Sequence, residues 1–177
     1  MKKLTFLMMA AMVMGLAMLT SCEKKDDTGL TNTSKKDTAP AFVQMRVVFN
    51  ATQDMLDYCN IVMKYNDGTG EQSETVTSLE WSKTLKTSLP ATLTFSREVT
   101  LKSDRDASAV EKINFTNFYS YRYDLLNKQG EELGKIGTKA NGSASVASGS
   151  NFVSFVNQGK MDKTLSYSFD ENGTMIQ

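Results

Sequence analysis

The sequence predicts an all-β protein, an antiparallel β-sandwich of about seven or eight strands. Apolar residues recur at every second position in segments spread over residues 40–177, and that is the period of a half-buried strand. Turn-forming sequences such as Asn66-Asp67-Gly68 and Asn127-Lys128-Gln129-Gly130 separate these segments. The chain shows no convincing helical period, and no unit of about 20–50 residues repeats, so a solenoid is not expected.

The predicted strands follow one another with short connections. They cover residues 43–50, 56–65, 76–85, 89–102, 113–126, 152–156 and 165–169, with a short last strand after Glu171-Asn172-Gly173. Residues 134–150 are rich in Gly, Ser and Ala, which indicates a loop or a weak edge strand. Arg97 interrupts the apolar face of residues 89–102. Either a bulge turns Arg97 outward, or its guanidinium pairs with a carboxylate at the edge of the core.

Residues 1–21 have the order of an export signal. Lys2 and Lys3 precede an apolar run from Leu4 to Leu19, which is shorter than the roughly 20 apolar residues of a transmembrane helix. The next segment, Leu19-Thr20-Ser21-Cys22, resembles the lipobox of bacterial lipoproteins. This resemblance implies cleavage before Cys22 and lipidation of Cys22, and several acyl chains anchor a protein durably to a membrane. A plain secretory signal is the alternative.

The residues after Cys22 are charged and polar. Glu23-Lys24-Lys25-Asp26-Asp27 is similar to the stretch that sends Bacteroidetes lipoproteins to the outer face of the outer membrane, and a solvated spacer is the alternative. Residues 22–39 contain one Leu and no aromatic residue, which predicts a flexible tether. Asp37-Thr38-Ala39 is similar to the motif at which Bacteroidetes attach O-glycans, so Thr38 is a predicted glycosylation site, with an unmodified linker as the alternative.

Composition limits the chemistry that this chain can perform. Removal of Lys2 and Lys3 lowers the 20 basic side chains to 18, against 20 acidic ones, and the resulting charge of −2 argues against nucleic acid as a partner. The chain has no His, which removes the commonest general base and most histidine-ligated metal sites. Cys59 lies among apolar residues, as a buried structural thiol does. We therefore expect no catalytic residue, no metal and no cofactor.

Aromatic side chains are the remaining candidates for ligand contact. Trp81 and a ladder of tyrosines, Tyr119, Tyr121 and Tyr123, offer stacking surfaces for a sugar if they are exposed. Large aromatic residues at a period of two are more typical of a sandwich interior, however. Phe118 falls on the face opposite the ladder, so it is the better candidate for an exposed apolar contact.

The chain resembles an immunoglobulin-like sandwich in its long strands, its Trp in mid-chain and its Tyr-rich late strand. The resemblance is one of architecture only, because the sequence lacks the paired cysteines of antibody domains. A lipocalin-like closed β-barrel is the alternative, although residues 134–150 are a poor strand to close it. We expect a single domain over residues 40–177 of a cell-surface lipoprotein that binds a glycan or a host or envelope protein without catalysis. The alternative is a structural or accessory subunit of an envelope assembly, such as a fimbrial or nutrient-uptake complex.

Overall fold

A computed structural model describes residues 37–66 and 68–176, so the predicted signal peptide and Cys22 lie outside the described residues. The described strands are β1 (Phe42–Asn50), β2 (Cys59–Asn66), β3 (Glu71–Thr75), β4 (Glu80–Ser88), β5 (Ala91–Leu101), β6 (Ile113–Thr116), β7 (Tyr119–Leu126), β8 (Glu132–Asn141), β9 (Ala144–Ala147), β10 (Lys163–Phe169) and β11 (Met175–Ile176). The described helices are α1 (Gln53–Tyr58) and α2 (Gly149–Asn157).

The strands form two open antiparallel sheets that pack face to face. The first sheet has the order β4-β1-β7-β8, the second has the order β11-β10-β5-β2-β3, and β6 pairs with β9 in a separate ribbon. Each main sheet ends in two edge strands, so within the described residues neither sheet closes on itself. The predicted antiparallel β-sandwich is confirmed, and the closed-barrel alternative is wrong.

The core lies between β1 of the first sheet and β5 of the second. Alternate side chains of β1 point inward, and Val43, Met45, Val47 and Phe49 are at most 2% exposed. Burial of each such side chain contributes roughly 1.5–3 kcal/mol to stability, so this alternation fixes which face of β1 packs on the second sheet.

Arg97 differs from both sequence expectations. The pairing of β5 with β2 and β10 runs through it without a shift, so there is no bulge, and its side chain is only 2% exposed. Its Nε donates to the carbonyl oxygen of Met161 at 3.1 Å, and Nη1 donates to that of Thr116 at 3.4 Å. Backbone carbonyls therefore replace the expected carboxylate. Burial lowers the pKa of Arg97 to about 10, and the negative charge of Asp162 opposes this effect.

Parts of two segments predicted as strands are helical. Residues 56–58, the start of the strand predicted over 56–65, belong to α1 (Gln53–Tyr58), whereas the remainder of that segment is in β2. The Thr52 hydroxyl caps α1 by accepting from the backbone N–H of Met55 at 3.2 Å. Residues 152–156, predicted as a strand, belong to α2, in which Phe152 and Val156 share the buried face. Four of the five residues 152–156 are apolar, so this short segment fits the period of a strand as well as that of a helix. In the structure it is helical, and Phe152 and Val156, four residues apart, reach the core together.

The predicted strand over residues 113–126 is divided. It breaks after Thr116, so that β6 belongs to the small ribbon while β7 lies in the first sheet. Residues 134–150 contribute to β8, which is an edge strand as predicted, and also hold β9. Turn predictions are confirmed at Gly68, Gly130 and Gly173, whose φ angles are 90°, 82° and 73°. Gly68 follows β2, Gly130 precedes β8 and Gly173 precedes β11.

Candidate functional site

A cleft of about 320 Å³ opens at one edge of the sandwich, where β7 and β8 face β10 and β11. We call it the tyrosine cleft. Three of its lining residues are tyrosines and one is a lysine, and the remainder are small polar or aliphatic side chains. The lining residues are Tyr119, Tyr121, Lys139, Thr164, Leu165, Ser166, Tyr167, Met175 and Ile176. The two sheets therefore supply opposite walls of this cleft.

Aromatic contacts between the sheets form the inner wall of the cleft. The pairing of β1 with β7 places Tyr119, Tyr121 and Tyr123 in a row on the inward face. The ring of Tyr121 lies 4.6 Å from that of Tyr167 on β10, centroid to centroid, at an interplanar angle of 58°. Such a pair contributes roughly 0.5–1.5 kcal/mol beyond the burial of its area. The rings are thus held firmly while they remain only partly buried.

The tyrosine hydroxyls of the cleft are neutral donors. Burial, followed by the neighbouring Tyr121 and Tyr119, raises the pKa of Tyr167 far above its usual value. Burial also raises the pKa of Tyr121, with Tyr123 and Tyr119 adding to the effect. Within the described part of the chain, the hydroxyls of Tyr119, Tyr121 and Tyr167 make no hydrogen bond. These groups are therefore available to a polar ligand.

Two lysines stand beside these rings. Lys139 on β8 is the cross-strand partner of Tyr121, so both side chains share one face of the sheet. Lys163 on β10 places its Nζ 5.4 Å from the centroid of the Tyr119 ring. Neither lysine forms an ion pair with another described residue, and no Asp or Glu lines the cleft. The walls therefore combine aromatic surface with uncompensated positive charge.

A second, shallower depression of about 330 Å³ lies across β1, β7 and β8. We call it the sheet-face depression. It shares Tyr121 and Lys139 with the tyrosine cleft, and the other lining residues are Arg46, Val48, Ser120, Arg122, Thr138 and Ala140. Arg46 lies 3.5 Å from Glu80, and Arg122 donates from Nε and Nη2 to Asp124 at 3.2 and 3.1 Å. The two recesses meet at the edge strand β8.

Trp81, a predicted ligand contact, lies in the interior and is 7% exposed. Its Nε1 donates to Oε2 of Glu74 at 2.9 Å, while Oε1 of Glu74 accepts from Tyr65 at 2.7 Å and from Lys83 at 2.6 Å. These donors, with Lys83 the largest contributor, lower the pKa of Glu74 to about 2. We call these four residues the Glu74 cluster. It joins β2 and β3 to β4 at the edge of the sandwich opposite the tyrosine cleft.

Of the other predicted ligand contacts, two line the tyrosine cleft and two lie elsewhere. Tyr119 and Tyr121 line the tyrosine cleft. Tyr123 instead packs edge-on against Phe169, with 5.0 Å between the ring centroids, and covers Gly137. Phe118 is partly buried at the break between β6 and β7. Sequence reasoning missed Lys139 and Tyr167 as cleft residues, because alternation assigns a face but does not show which residues of two sheets meet.

Cys59 and Thr38 occupy contrasting environments. Cys59 is 3% exposed, as predicted, and burial raises the pKa of its thiol to about 11 against the opposing charge of Lys102. Thr38 is exposed in a short turn, where Oδ1 of Asp37 accepts from the N–H of Ala39 at 3.1 Å. Asn127 donates from Nδ2 to the carbonyl oxygen of Asp37 at 2.9 Å. This bond holds the turn that carries Thr38 against the sandwich.

The described residues contain no group of three or more side chains suited to hold a metal ion. None of the helices in the described part of the chain is long and apolar enough to cross a membrane. The fold and the cleft define an antiparallel β-sandwich with an aromatic, cationic recess at one edge. No protein-family model, curated protein or solved structure matches the chain.

Proposed function

We propose that this protein is a cell-surface lipoprotein whose β-sandwich binds a glycan in the tyrosine cleft without catalysing a reaction. The observation that carries this proposal is the Tyr121–Tyr167 pair, two partly buried rings with hydroxyls available in a cleft of about 320 Å³. A pyranose ring offers a C–H face that packs on an aromatic ring and hydroxyl groups that accept from phenols. The volume lies within the range of roughly 300–1,000 Å³ that small-ligand pockets occupy.

Attachment to the outer membrane, with the domain facing the cell exterior, is the second part of the proposal. It is supported by the lipobox-like Leu19-Thr20-Ser21-Cys22 and by the charged stretch that follows. Substitution Cys22→Ser is expected to release the protein from the membrane fraction, because the acyl acceptor is lost. Protease added to intact cells is expected to degrade the wild-type protein. Full protection in intact cells, with degradation after lysis, would contradict surface display.

The glycan proposal is tested with variants that remove one hydroxyl and keep the ring. Tyr121→Phe and Tyr167→Phe each delete a donor while preserving the inter-sheet packing. Each is expected to weaken binding of an array-identified glycan by about five- to tenfold, the contribution of one hydrogen bond. Tyr58→Phe, in α1 and outside the cleft, is the matched control and is expected to bind as the wild type does. A glycan array without a single binder would contradict the proposal.

The alternative, an accessory subunit of an envelope assembly, is favoured by one observation. Edge strand β8 is ten residues long and carries Ile136, which is 50% exposed. Unpaired strand edges pair readily with a strand from another protein. Crosslinking in intact cells distinguishes the two functions, because an assembly subunit has a stoichiometric protein partner whereas a glycan-binding module does not require one.

A further inference from the structure

The charge around the tyrosine cleft is one-sided. Neither the cleft nor the adjoining sheet-face depression has an Asp or Glu among its lining residues. Between them they hold Lys139, Arg46 and Arg122. The chain outside its signal carries more acidic than basic side chains, so a lining with three basic side chains and no acidic one is not a consequence of average composition.

The basic side chains that line these recesses, and Lys163 beside the Tyr119 ring, differ in whether they form ion pairs. Arg46 and Arg122 have carboxylate partners in Glu80 and Asp124. Lys139 and Lys163 have none among the described residues, whereas Lys64 and Lys83 on the opposite side of the sandwich are paired with Glu98 and Glu74. Lys139 therefore brings a positive charge without a described ion-pair partner to the aromatic cleft.

The polar groups in the cleft are mostly donors. The hydroxyls of Tyr121 and Tyr167 remain protonated, because burial raises the pKa of both phenols. Lys139 adds an ammonium group on the same face as the Tyr121 ring. A carboxylate accepts from several of these donors at once, and hydrogen bonds to an ionised acceptor are about twice as strong as neutral ones. A neutral sugar uses the ring and the phenols but leaves the ammonium charge without a counterpart.

We infer that the tyrosine cleft binds an acidic glycan, a sugar chain that bears carboxylates, and that Lys139 determines this preference. The inference rests on the proposed glycan-binding function and specifies the class of glycan. The sugar ring packs on the partly buried tyrosines, and the carboxylate lies against Lys139. Lys163, above the Tyr119 ring, extends the positive charge toward the second sheet.

The test uses the full-length chain purified in detergent and an array of sugars in acidic and neutral pairs. Galacturonate and glucuronate trimers and their methyl esters are the probes, since esterification removes the charge and keeps the ring. We expect an acidic trimer to bind about tenfold more tightly than its ester at low ionic strength, with the difference shrinking as salt screens the charge. Lys139→Gln is expected to remove most of that difference. Lys128→Gln, an exposed lysine in the turn before β8, is the matched control and is expected to preserve it.

The outcomes separate the inference from the function on which it rests. Equal affinity for acids and esters, or a preference for neutral glycans that Tyr167→Phe weakens, overturns the acidic-glycan inference and leaves the glycan-binding proposal intact. A preference for acids that survives Lys139→Gln overturns the role of Lys139. An array on which no glycan of either kind is bound overturns both the inference and the proposed function.

Discussion

Substitution Glu74→Gln removes the charge that joins the two sheets at the edge opposite the tyrosine cleft. The carboxylate accepts from three donors, Lys83, Tyr65 and Trp81, through two oxygen atoms. Glutamine keeps only one acceptor oxygen, and its NH₂ group, itself a donor, then meets the donors of the other oxygen's site. The side chain of Glu74 is 38% exposed, so solvent screens part of the ionic contribution.

The expected magnitude follows from these contacts. A buried donor left without a partner costs about 1–3 kcal/mol, and Trp81 and Tyr65 are the buried donors of the cluster, each at 7% exposure. Water can solvate the freed Lys83 ammonium, which is 32% exposed. We expect Glu74→Gln to lower the free energy of unfolding by about 2 kcal/mol, equivalent to a fall in Tm of about 4–8 °C for a domain of this size.

The same carboxylate predicts an acid-sensitive part of the stability. The pKa of Glu74 is about 2 in the folded protein against 4.5 for the free side chain, so its stabilisation is fully present above pH 4.5. It is lost as the pH falls from 4.5 toward 2, because the unfolded chain takes up the proton first. After allowance for solvent screening, this loss amounts to about 1–2 kcal/mol. Glu74→Gln is expected to lack this component.

Urea unfolding followed by Trp81 fluorescence measures both effects, since Trp81 is the only tryptophan and lies in the cluster. The matched control is Glu98→Gln, which breaks the surface ion pair with Lys64. Exposed pairs of this kind contribute about 0.2–1 kcal/mol. If Glu74→Gln and Glu98→Gln unfold at the same urea concentration at pH 7, and have the same slope between pH 4.5 and 3, the assigned role of Glu74 is refuted.

Three further predictions concern packing. A Cβ at Gly137 would lie 2.1 Å from Cε1 of Tyr123. Gly137→Ala is therefore expected to displace the ring and to lower the free energy of unfolding by about 1–3 kcal/mol. An unchanged Tm would contradict this contact. A Cβ at Gly149 would lie 1.8 Å from the carbonyl oxygen of Ala107. Because backbone atoms move less readily than a side-chain ring, we expect Gly149→Ala to lower the Tm more than Gly137→Ala does. The reverse order would refute the comparison. Cys59 is expected to react with a thiol reagent at pH 8 about a hundredfold faster in urea than in the native state, and equal rates would show that it is not buried.

The strands that alternate clearly were predictable, and the elements that depend on tertiary contacts were not. Residues 43–50 alternate without exception on their inward face, and β1 matches them closely. Residues 152–156 have apolar side chains that fit a strand or a helix, and only the pocket that receives Phe152 decides between them. The strand β3 has no large apolar residue to signal it, and pairing with β2 alone defines it.

The candidate site likewise has a part that the sequence predicts and a part that depends on tertiary contacts. The row of Tyr119, Tyr121 and Tyr123 could be read from the sequence, because residues two apart share a face of a strand. The position of Tyr167 opposite Tyr121 could not, since it depends on how β10 lies across β7. Trp81 is a reasonable stacking candidate by residue type, but its ring packs against Phe49 and Tyr65 in the core and its Nε1 donates to Glu74.

The two edges of the sandwich differ in their polar contacts, and this difference supports the position that we propose for the binding site. At the edge formed by β3 and β4, the tyrosine and tryptophan donors both reach Glu74, so the sheets are joined by polar contacts from within the protein. At the edge formed by β8 and β11, the rings of Tyr121 and Tyr167 meet, but within the described residues no carboxylate accepts from their hydroxyls or from Lys139. The arrangement lacks the acidic acceptor that the Glu74 cluster contains. On our proposal, the carboxylate of a bound acidic glycan supplies this acceptor in the tyrosine cleft, as Glu74 does at the other edge.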